Sequence, residues 1–140
     1  MNVLRKSIFI SLVTIFSLPP HHSFGVSVDL NCNNPVTREE IVQCSFVEVQ
    51  TAEVSLSVAF KRAQTYIAVI EGHKPEELKG GPEALKNSQR AWIDYRDEHC
   101  RTRGFKFSGQ AVVQLVVNKC LAKKTLARAK ELNKLAEETQ

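Results

Sequence analysis

Four cysteines constrain the fold of this chain more than any other feature of the sequence: Cys32, Cys44, Cys100 and Cys120. All four follow an apolar N-terminal stretch, and an even number of cysteines in a short exported chain is typical of a disulfide framework. A zinc site is the alternative, but there is no CxxC or HxxxH pair, and spacings of 12, 56 and 20 residues suit no zinc finger. We therefore expect disulfides and no metal ion.

The first 25 residues have the features of a secretory signal peptide. Arg5 and Lys6 precede an apolar run from Ser7 to Leu18. This run is shorter than the roughly 20 residues that cross a bilayer as a stable helix. We expect export to the periplasm or the outside of the cell, with a retained N-terminal anchor as the alternative.

The small residues Ser23 and Gly25 predict cleavage after Gly25, and cleavage after Ser27 is the second choice. The chain is then a cleaved signal peptide, 1–25, followed by one domain, 26–140. After cleavage we expect no stable membrane anchor.

Charge gives little support to a nucleic-acid partner. Loss of Arg5 and Lys6 lowers the formal net charge from +4 to +2. Nucleic-acid binding would require a concentrated basic stripe or stacking aromatic residues. Six basic residues cluster late in the chain, and we interpret them as a solvated surface because a helix spreads them over more than one face: Lys119, Lys123, Lys124, Arg128, Lys130 and Lys134.

The first helical segment starts at a capping box, Thr37 with Glu40, and is expected to extend to about Glu71. Alternating apolar and polar residues at 47–49 and 54–58 favour a strand instead. Apolar residues also recur at helical spacing of three and four over a longer distance, and this longer series predicts a helix. Its face comprises Val49, Ala52, Leu56, Ala59, Ala63, Ile67 and Ile70.

Two further helices complete the prediction. A polar loop over 72–81 precedes a second helix, about 82–103, which Gly104 is expected to end. A third helix follows Gly109 and extends toward the C-terminus. The expected fold is all-α, a three-helix antiparallel bundle cross-linked by two disulfides.

Four cysteines can form two disulfides in three ways. We prefer the connectivity that contains Cys32–Cys44 and Cys100–Cys120. The first pairing ties the leading segment to the first turns of helix one, and the second ties helix two to helix three. Cys120 lies roughly 15 Å past Gly109 if the helix starts there. The second pairing therefore closes easily only if helix three starts late and residues 105–110 run extended.

The segment Ala91–Cys100, with Leu85 and Gln89 before it, resembles the signature of the LprI-type, lysozyme-inhibitor-like family. That signature reads approximately L-x-x-x-Q-x-x-W-[LI]-x-[FY]-R-D-x-x-C. The resemblance covers about residues 29–133. Matching positions on the other two segments are Cys32, Glu40, Cys44, Val49, Glu53, Leu56, Phe60, Cys120, Thr125, Arg128 and Leu132. Departures are Glu53 for aspartate, Phe60 for tyrosine, and Lys124 where an apolar residue is common.

The resemblance implies a helical envelope protein that binds a protein partner, a lysozyme or another peptidoglycan hydrolase. Inhibition would occur by occlusion, with a loop or helix edge entering the enzyme cleft and meeting its two carboxylates. A net charge of +2 would not steer the protein to basic animal lysozymes. A local acidic patch such as Glu76-Glu77 would have to do so. The alternative is an immunity-type or stress-related helical protein that binds another toxin or hydrolase.

The sequence offers no candidate for catalysis or for a cofactor. Adjacent helical residues point about 100° apart, so His99 cannot activate Cys100 across one helix face. Glu76-Glu77 has no partner carboxylate at a fixed distance, which acid–base chemistry on a glycan would require. We expect a binding protein rather than an enzyme.

The polar and aromatic residues of the signature have two interpretations. They either form an interhelical network, in which Arg96 and Arg128 pair with Glu53 and Asp97, or present Trp92, Tyr95 and Arg96 in a partner-binding groove. Aromatic and arginine residues are favoured anchors at interfaces. We favour the network because a lone tryptophan in a domain of this size is usually core. The full set is Glu53, Gln89, Trp92, Tyr95, Arg96, Asp97, Thr125 and Arg128.

Overall fold

The computed structural model describes residues 30–137, and the predicted signal peptide with its two predicted cleavage positions lies outside this range. Within it the chain forms three α-helices and one 3-10 turn, with no strand. The elements are α1 (Arg38–Gly72), the 3-10 turn (Glu76–Leu78), α2 (Gly81–Phe105) and α3 (Val113–Leu135). None of these helices combines the length and apolar content needed to span a bilayer. The predicted all-α, three-helix fold is confirmed.

The capping box at the start of α1 is present as predicted. Thr37 Oγ1 accepts a hydrogen bond from the backbone N–H of Glu40 at 3.1 Å. Glu40 Oε2 in turn accepts from the backbone N–H groups of Thr37 at 2.9 Å and Val36 at 2.7 Å. Three backbone donors at the helix start, which have no partner within the helix, are satisfied in this way.

These hydrogen bonds give the capping box a pH dependence. The backbone N–H groups of Thr37 and Val36 lower the pKa of Glu40. Because the folded-state pKa is lower than the unfolded one, the stabilisation is present above the ordinary glutamate range and is lost as the pH falls through the lowered pKa. We expect the Tm difference between the unchanged protein and Glu40→Gln to be largest at neutral pH and to shrink on acidification. Thermal melts across acidic pH test this, with Glu39→Gln as a control of equal charge change.

If the difference in Tm between the two proteins did not change with pH, the carboxylate would not be the titrating group in the cap. Glu39 lies in the same first turn but accepts none of the capping hydrogen bonds, so its replacement should not reproduce the effect.

Residues 54–58 are helical, although apolar and polar residues alternate there as in a strand. The alternation arises because α1 carries apolar residues on two faces. Leu56 is buried in the core, whereas Val54 and Val58 are 65% and 58% exposed on the outer face. The predicted inner face is confirmed at its centre, where Ala52, Ala59 and Ala63 are buried. The alternation therefore results from valines on the outer face of α1 and does not indicate a strand.

Consecutive helices run antiparallel, so α1 and α3 are parallel. Hydrogen bonds between these two helices join residues separated by 71 to 73 positions: Ser45 with Asn118, Glu48 with Lys119, and Arg62 with Asn133. This constant offset shows that the two helices stay in register over most of their length. The buried core between the helices comprises Leu56, Ala59, Ala63, Leu85, Ala129 and Leu132. Its alanines allow the helix backbones to approach closely.

Both preferred disulfides are present. Cys32–Cys44 and Cys100–Cys120 have Cα–Cα distances of 5.4 Å and 5.5 Å. The first ties the segment before α1 to its second turn, and the second joins α2 to α3. Both lie at the same end of the bundle, and we call it the disulfide end.

The expectation of an extended segment at 105–110 is wrong. α3 does start late, at Val113, but backbone hydrogen bonds fold the connection into consecutive turns. They join Phe107 to Gly104 at 2.8 Å, Ser108 to Phe105 at 3.0 Å, and Gln110 to Phe107 at 3.0 Å. No extended spacer is required, because α2 and α3 are already in contact at Gly104.

Gly104 does not end α2 as predicted, since the helix continues through Phe105. Gly104 is buried, and a Cβ atom there would lie only 2.5 Å from Cγ2 of Val117 on α3. The glycine therefore sets the spacing of the two helices beside the Cys100–Cys120 disulfide.

We expect Gly104→Ala to lower the free energy of unfolding by about 1–2 kcal/mol, because overpacking costs more than the helix propensity gained from alanine. Urea unfolding of the oxidised protein measures this. Gly72→Ala is the matched control, since a Cβ at Gly72 has no atom within 4 Å. Adding Val117→Ala to Gly104→Ala should restore part of the loss. Equal effects of the two glycine substitutions would contradict the packing role.

Candidate functional site

Arg96 joins all three helices through its guanidinium group. Its side chain is 9% exposed. It donates hydrogen bonds to Glu53 of α1 at 2.5 Å, to Thr125 of α3 at 2.9 Å, and to the neighbouring Asp97 at 2.8 Å. Its central carbon also lies 5.2 Å from the ring centroid of Trp92. Charge-assisted hydrogen bonds of this kind are among the stronger polar contacts in proteins.

Arg128 forms a second set of contacts one turn further along the bundle. It donates to Gln89 at 3.1 Å and to Glu131 at 3.0 Å, and it lies 5.9 Å from the Trp92 ring centroid. The predicted network is therefore correct for Arg96 but not for Arg128, which pairs with neither Glu53 nor Asp97. The reason is axial position: α2 is antiparallel to α3, so Arg128 is level with Gln89 rather than with Asp97.

Tyr95 lies outside this network. It is exposed, and Lys124 of α3 donates to its hydroxyl at 3.3 Å and lies 4.9 Å from its ring centroid. The ring of His99 is 5.6 Å from that of Tyr95. Lys124, a departure from the family pattern, thus covers an exposed tyrosine ring by a cation–π contact.

A second buried polar cluster was not predicted. Ser45 and Asn118 are almost completely buried and share a hydrogen bond of 2.9 Å, and Gln114 donates to Asn118 at 2.7 Å. The signal was available in the sequence, because Asn118, Thr125 and Leu132 recur every seven residues and all three are buried. A polar residue in such a series predicts a buried hydrogen-bonded position.

The polar side chains around Arg96 are hydrogen-bonded to one another. Within residues 30–137, every buried side-chain nitrogen and oxygen has a hydrogen-bond partner. In the same range no three histidine, cysteine or acidic side chains are grouped as a metal site requires. Arg96, Gln89 and Thr125 are buried and bind one another or their neighbours. These contacts link α2 to both α1 and α3.

Among residues 30–137, the most exposed aromatic side chain is Phe105, the last residue of α2, at the disulfide end. We call residues 105–110 the apex turn. Phe105 is 78% exposed, and Lys106 Nζ lies 5.9 Å from the ring centroid of Phe107. Gly109 adopts a positive φ of 79°, which glycine permits without strain. No sequence signal distinguished this segment from a connecting spacer.

The acidic pair Glu76-Glu77 lies at the opposite end of the bundle. Both residues are exposed on the 3-10 turn, and Glu76 pairs with Lys79 at 2.6 Å. Glu71 accepts hydrogen bonds from the backbone N–H groups of Gly80 and Gly81, and so caps the start of α2.

Comparisons with known proteins agree with this architecture. The model of the family described as lysozyme inhibitor LprI matches residues 32–132. An uncharacterised protein from Rhizobium meliloti strain 1021 is 29% identical over 113 residues, covering 79% of this chain and 81% of its own length. The crystal structure of a DUF1311 family protein from Pseudomonas putida KT2440 has a TM-score of 0.63 at 20% identity. It covers 76% of this chain and 100% of its own, and it supports the fold.

The family match extends from the first cysteine to Leu132, the last buried leucine of α3. It includes both disulfides and the complete Arg96 network. The chain belongs to the lysozyme inhibitor LprI family.

Proposed function

We propose that this chain is an exported envelope protein that binds lysozyme-like peptidoglycan hydrolases and inhibits them by occluding the substrate cleft. Family membership supports the class of partner. Two disulfides suit the oxidising periplasm or cell exterior. The buried polar residues are engaged with each other, which supports a role in binding rather than catalysis.

The observation that carries the mechanism is the exposure of Phe105. A phenylalanine that is 78% exposed at a helix end contributes little to its own fold. Aromatic side chains are strong anchors when they enter a pocket on a partner. A cleft that binds sugar rings offers such pockets.

Lys106 supplies charge complementarity beside this anchor. Glycoside hydrolases with two catalytic carboxyl groups place them about 5–9 Å apart across the scissile bond. Lys106 is exposed next to Phe105, and its ammonium group would meet these carboxylates when the aromatic ring enters the cleft. Glu76-Glu77 lies at the other end of the bundle, too far from Lys106 to steer an enzyme to the apex turn.

The apex turn is held by covalent and packing contacts, which makes it suitable for insertion into an enzyme cleft. The Cys100–Cys120 disulfide closes its base, and the contact between Gly104 and Val117 packs the two helices tightly below it. Consecutive backbone hydrogen bonds order the turn itself. A binding element that is ordered before association loses less conformational entropy on binding.

The test is lysis of a peptidoglycan suspension by animal and bacterial lysozymes, with and without the exported, oxidised protein. We expect saturable inhibition at micromolar protein or below. Phe105→Ala should weaken inhibition at least tenfold while the far-ultraviolet circular dichroism and Tm stay unchanged. Leu78→Ala is the matched control, since Leu78 is 66% exposed at the opposite end of the bundle.

Different outcomes contradict different parts of the proposal. No inhibition at a large molar excess of folded, oxidised protein contradicts lysozyme inhibition and favours a different toxin or hydrolase as partner. Inhibition that Phe105→Ala leaves unchanged contradicts only the apex turn as the inserting element. Release of glycan fragments by the protein alone contradicts an inhibitor and indicates an enzyme.

A further inference from the structure

A groove of about 710 Å³ lies between the outer edges of α2 and α3. We call it the α2–α3 groove. Its volume falls in the range of about 300–1,000 Å³ that is usual for small-molecule sites. It is separate from the Arg96 network, and its lining does not include Phe105 or Lys106. Its lining residues are His99, Arg103, Leu115, Val116, Lys119, Cys120, Lys123, Lys124 and Ala127.

The charged side chains that line the groove are basic. Of the lining residues, four are lysine or arginine, one is histidine, and none is acidic. Lys119 pairs with Glu48 at 2.5 Å, whereas the ion pairs found within residues 30–137 include neither Arg103 nor Lys123. Three of the six late basic residues therefore line one edge, rather than being spread as a uniform solvated surface. Basic side chains above a low-dielectric floor concentrate a positive potential.

The floor of the groove is apolar. Leu115, Val116, Ala127 and Cys120, which is bonded to Cys100, form it. Leu115 and Ala127 are twelve positions apart on one helix, which corresponds to about 18 Å. The groove thus extends along α3 and is lined by both apolar and cationic side chains.

We propose that the α2–α3 groove binds a single-chain amphiphile with an anionic head group, with the chain along the floor and the head group between Arg103 and Lys123. The combination of the two surfaces selects this ligand class. A neutral lipid would not use the cations, and a purely ionic polymer would leave the apolar floor in water. A fatty acid and a monoacyl phosphate share the required chemistry. This activity is independent of hydrolase inhibition.

The test is isothermal titration of the exported, oxidised protein with laurate and dodecyl phosphate, each below its micelle concentration. We expect saturable 1:1 binding of at least one probe with a micromolar Kd. Dodecyl maltoside, which has the same chain and a neutral head, should bind at least tenfold more weakly. Butyrate and inorganic phosphate should show no saturable binding, because they lack the chain. Comparison of laurate with dodecyl phosphate identifies whether a carboxylate or a phosphate head is preferred.

Two variants locate the site. Lys123→Glu at the rim should weaken binding about tenfold, and Ala127→Trp on the floor should remove it by filling the groove. Lys130→Glu is the matched control, because Lys130 is exposed on the same helix but does not line the groove. Equal affinity for dodecyl maltoside, or equal effects of Lys123→Glu and Lys130→Glu, would overturn the proposal. Saturable binding of a glutamate-rich peptide without binding of either anionic amphiphile would also overturn it, in favour of a protein ligand.

Discussion

Replacement of Arg96 by methionine is expected to lower the free energy of unfolding by about 3 kcal/mol. Methionine retains much of the volume but donates no hydrogen bond, so Glu53, Asp97 and the buried Thr125 lose their shared donor. Glu53 and Asp97 are about half exposed and can be rehydrated. We therefore expect a loss at the lower end of the range for breaking a buried ion pair.

Urea unfolding at neutral pH measures this effect. Arg101→Met is the matched control on the same helix, since Arg101 is 74% exposed and, within residues 30–137, its ion pair is with Glu98. Its loss should cost less than about 0.5 kcal/mol. Arg96→Lys should recover only part of the stability, because a lysine ammonium lacks the planar fork that reaches three acceptors at once. Equal effects of Arg96→Met and Arg101→Met would show that the network does not stabilise the bundle.

Removal of the Cys100–Cys120 disulfide by a double substitution to alanine is expected to cost about 3 kcal/mol and to abolish inhibition. The disulfide closes a segment of 20 residues that includes the whole apex turn. Its loss raises the entropy of the unfolded chain and also frees the two helix ends that hold the turn. Both stability and binding should therefore fall.

The other disulfide provides the control. Cys32–Cys44 closes a segment of 12 residues, and chain entropy predicts a cost of about 3 kcal/mol for it as well. It does not touch the α2–α3 connection, so alanine substitution of Cys32 and Cys44 should destabilise the protein while inhibition by the folded fraction persists. If both double variants lost inhibition equally, global stability rather than the apex turn would explain the loss.

Local sequence signals predicted the elements that depend on neighbouring residues. The Thr37 and Glu40 capping box was predictable because both partners lie within one helical turn. The helical character of α1 followed from a series of apolar residues longer than the competing alternation. The two disulfide pairings were preferred correctly because each joins parts of the chain that are close in sequence: the leading segment with the start of α1, and α2 with the following α3.

The candidate site was predictable only in part. Glu53 was predicted among the partners of the arginines, and Arg96 donates a hydrogen bond to Glu53. The partners of Arg128 were not predicted, because they depend on how far α2 is displaced along α3. The exposure of Phe105 was also missed, since an apolar residue near a helix end is usually assigned to the core.

The sequence by itself determined that the chain is helical, where α1 begins, that its cysteines are paired, and which family it resembles. These properties depend on short-range periodicity, on capping within one turn, and on a spaced signature. Only the tertiary structure decided that α1 and α3 run parallel at a constant offset, that Gly104 sets a helix contact, and that three lysines line one groove. Those properties depend on the axial register and rotation of separate helices, which the packing of side chains far apart in sequence establishes.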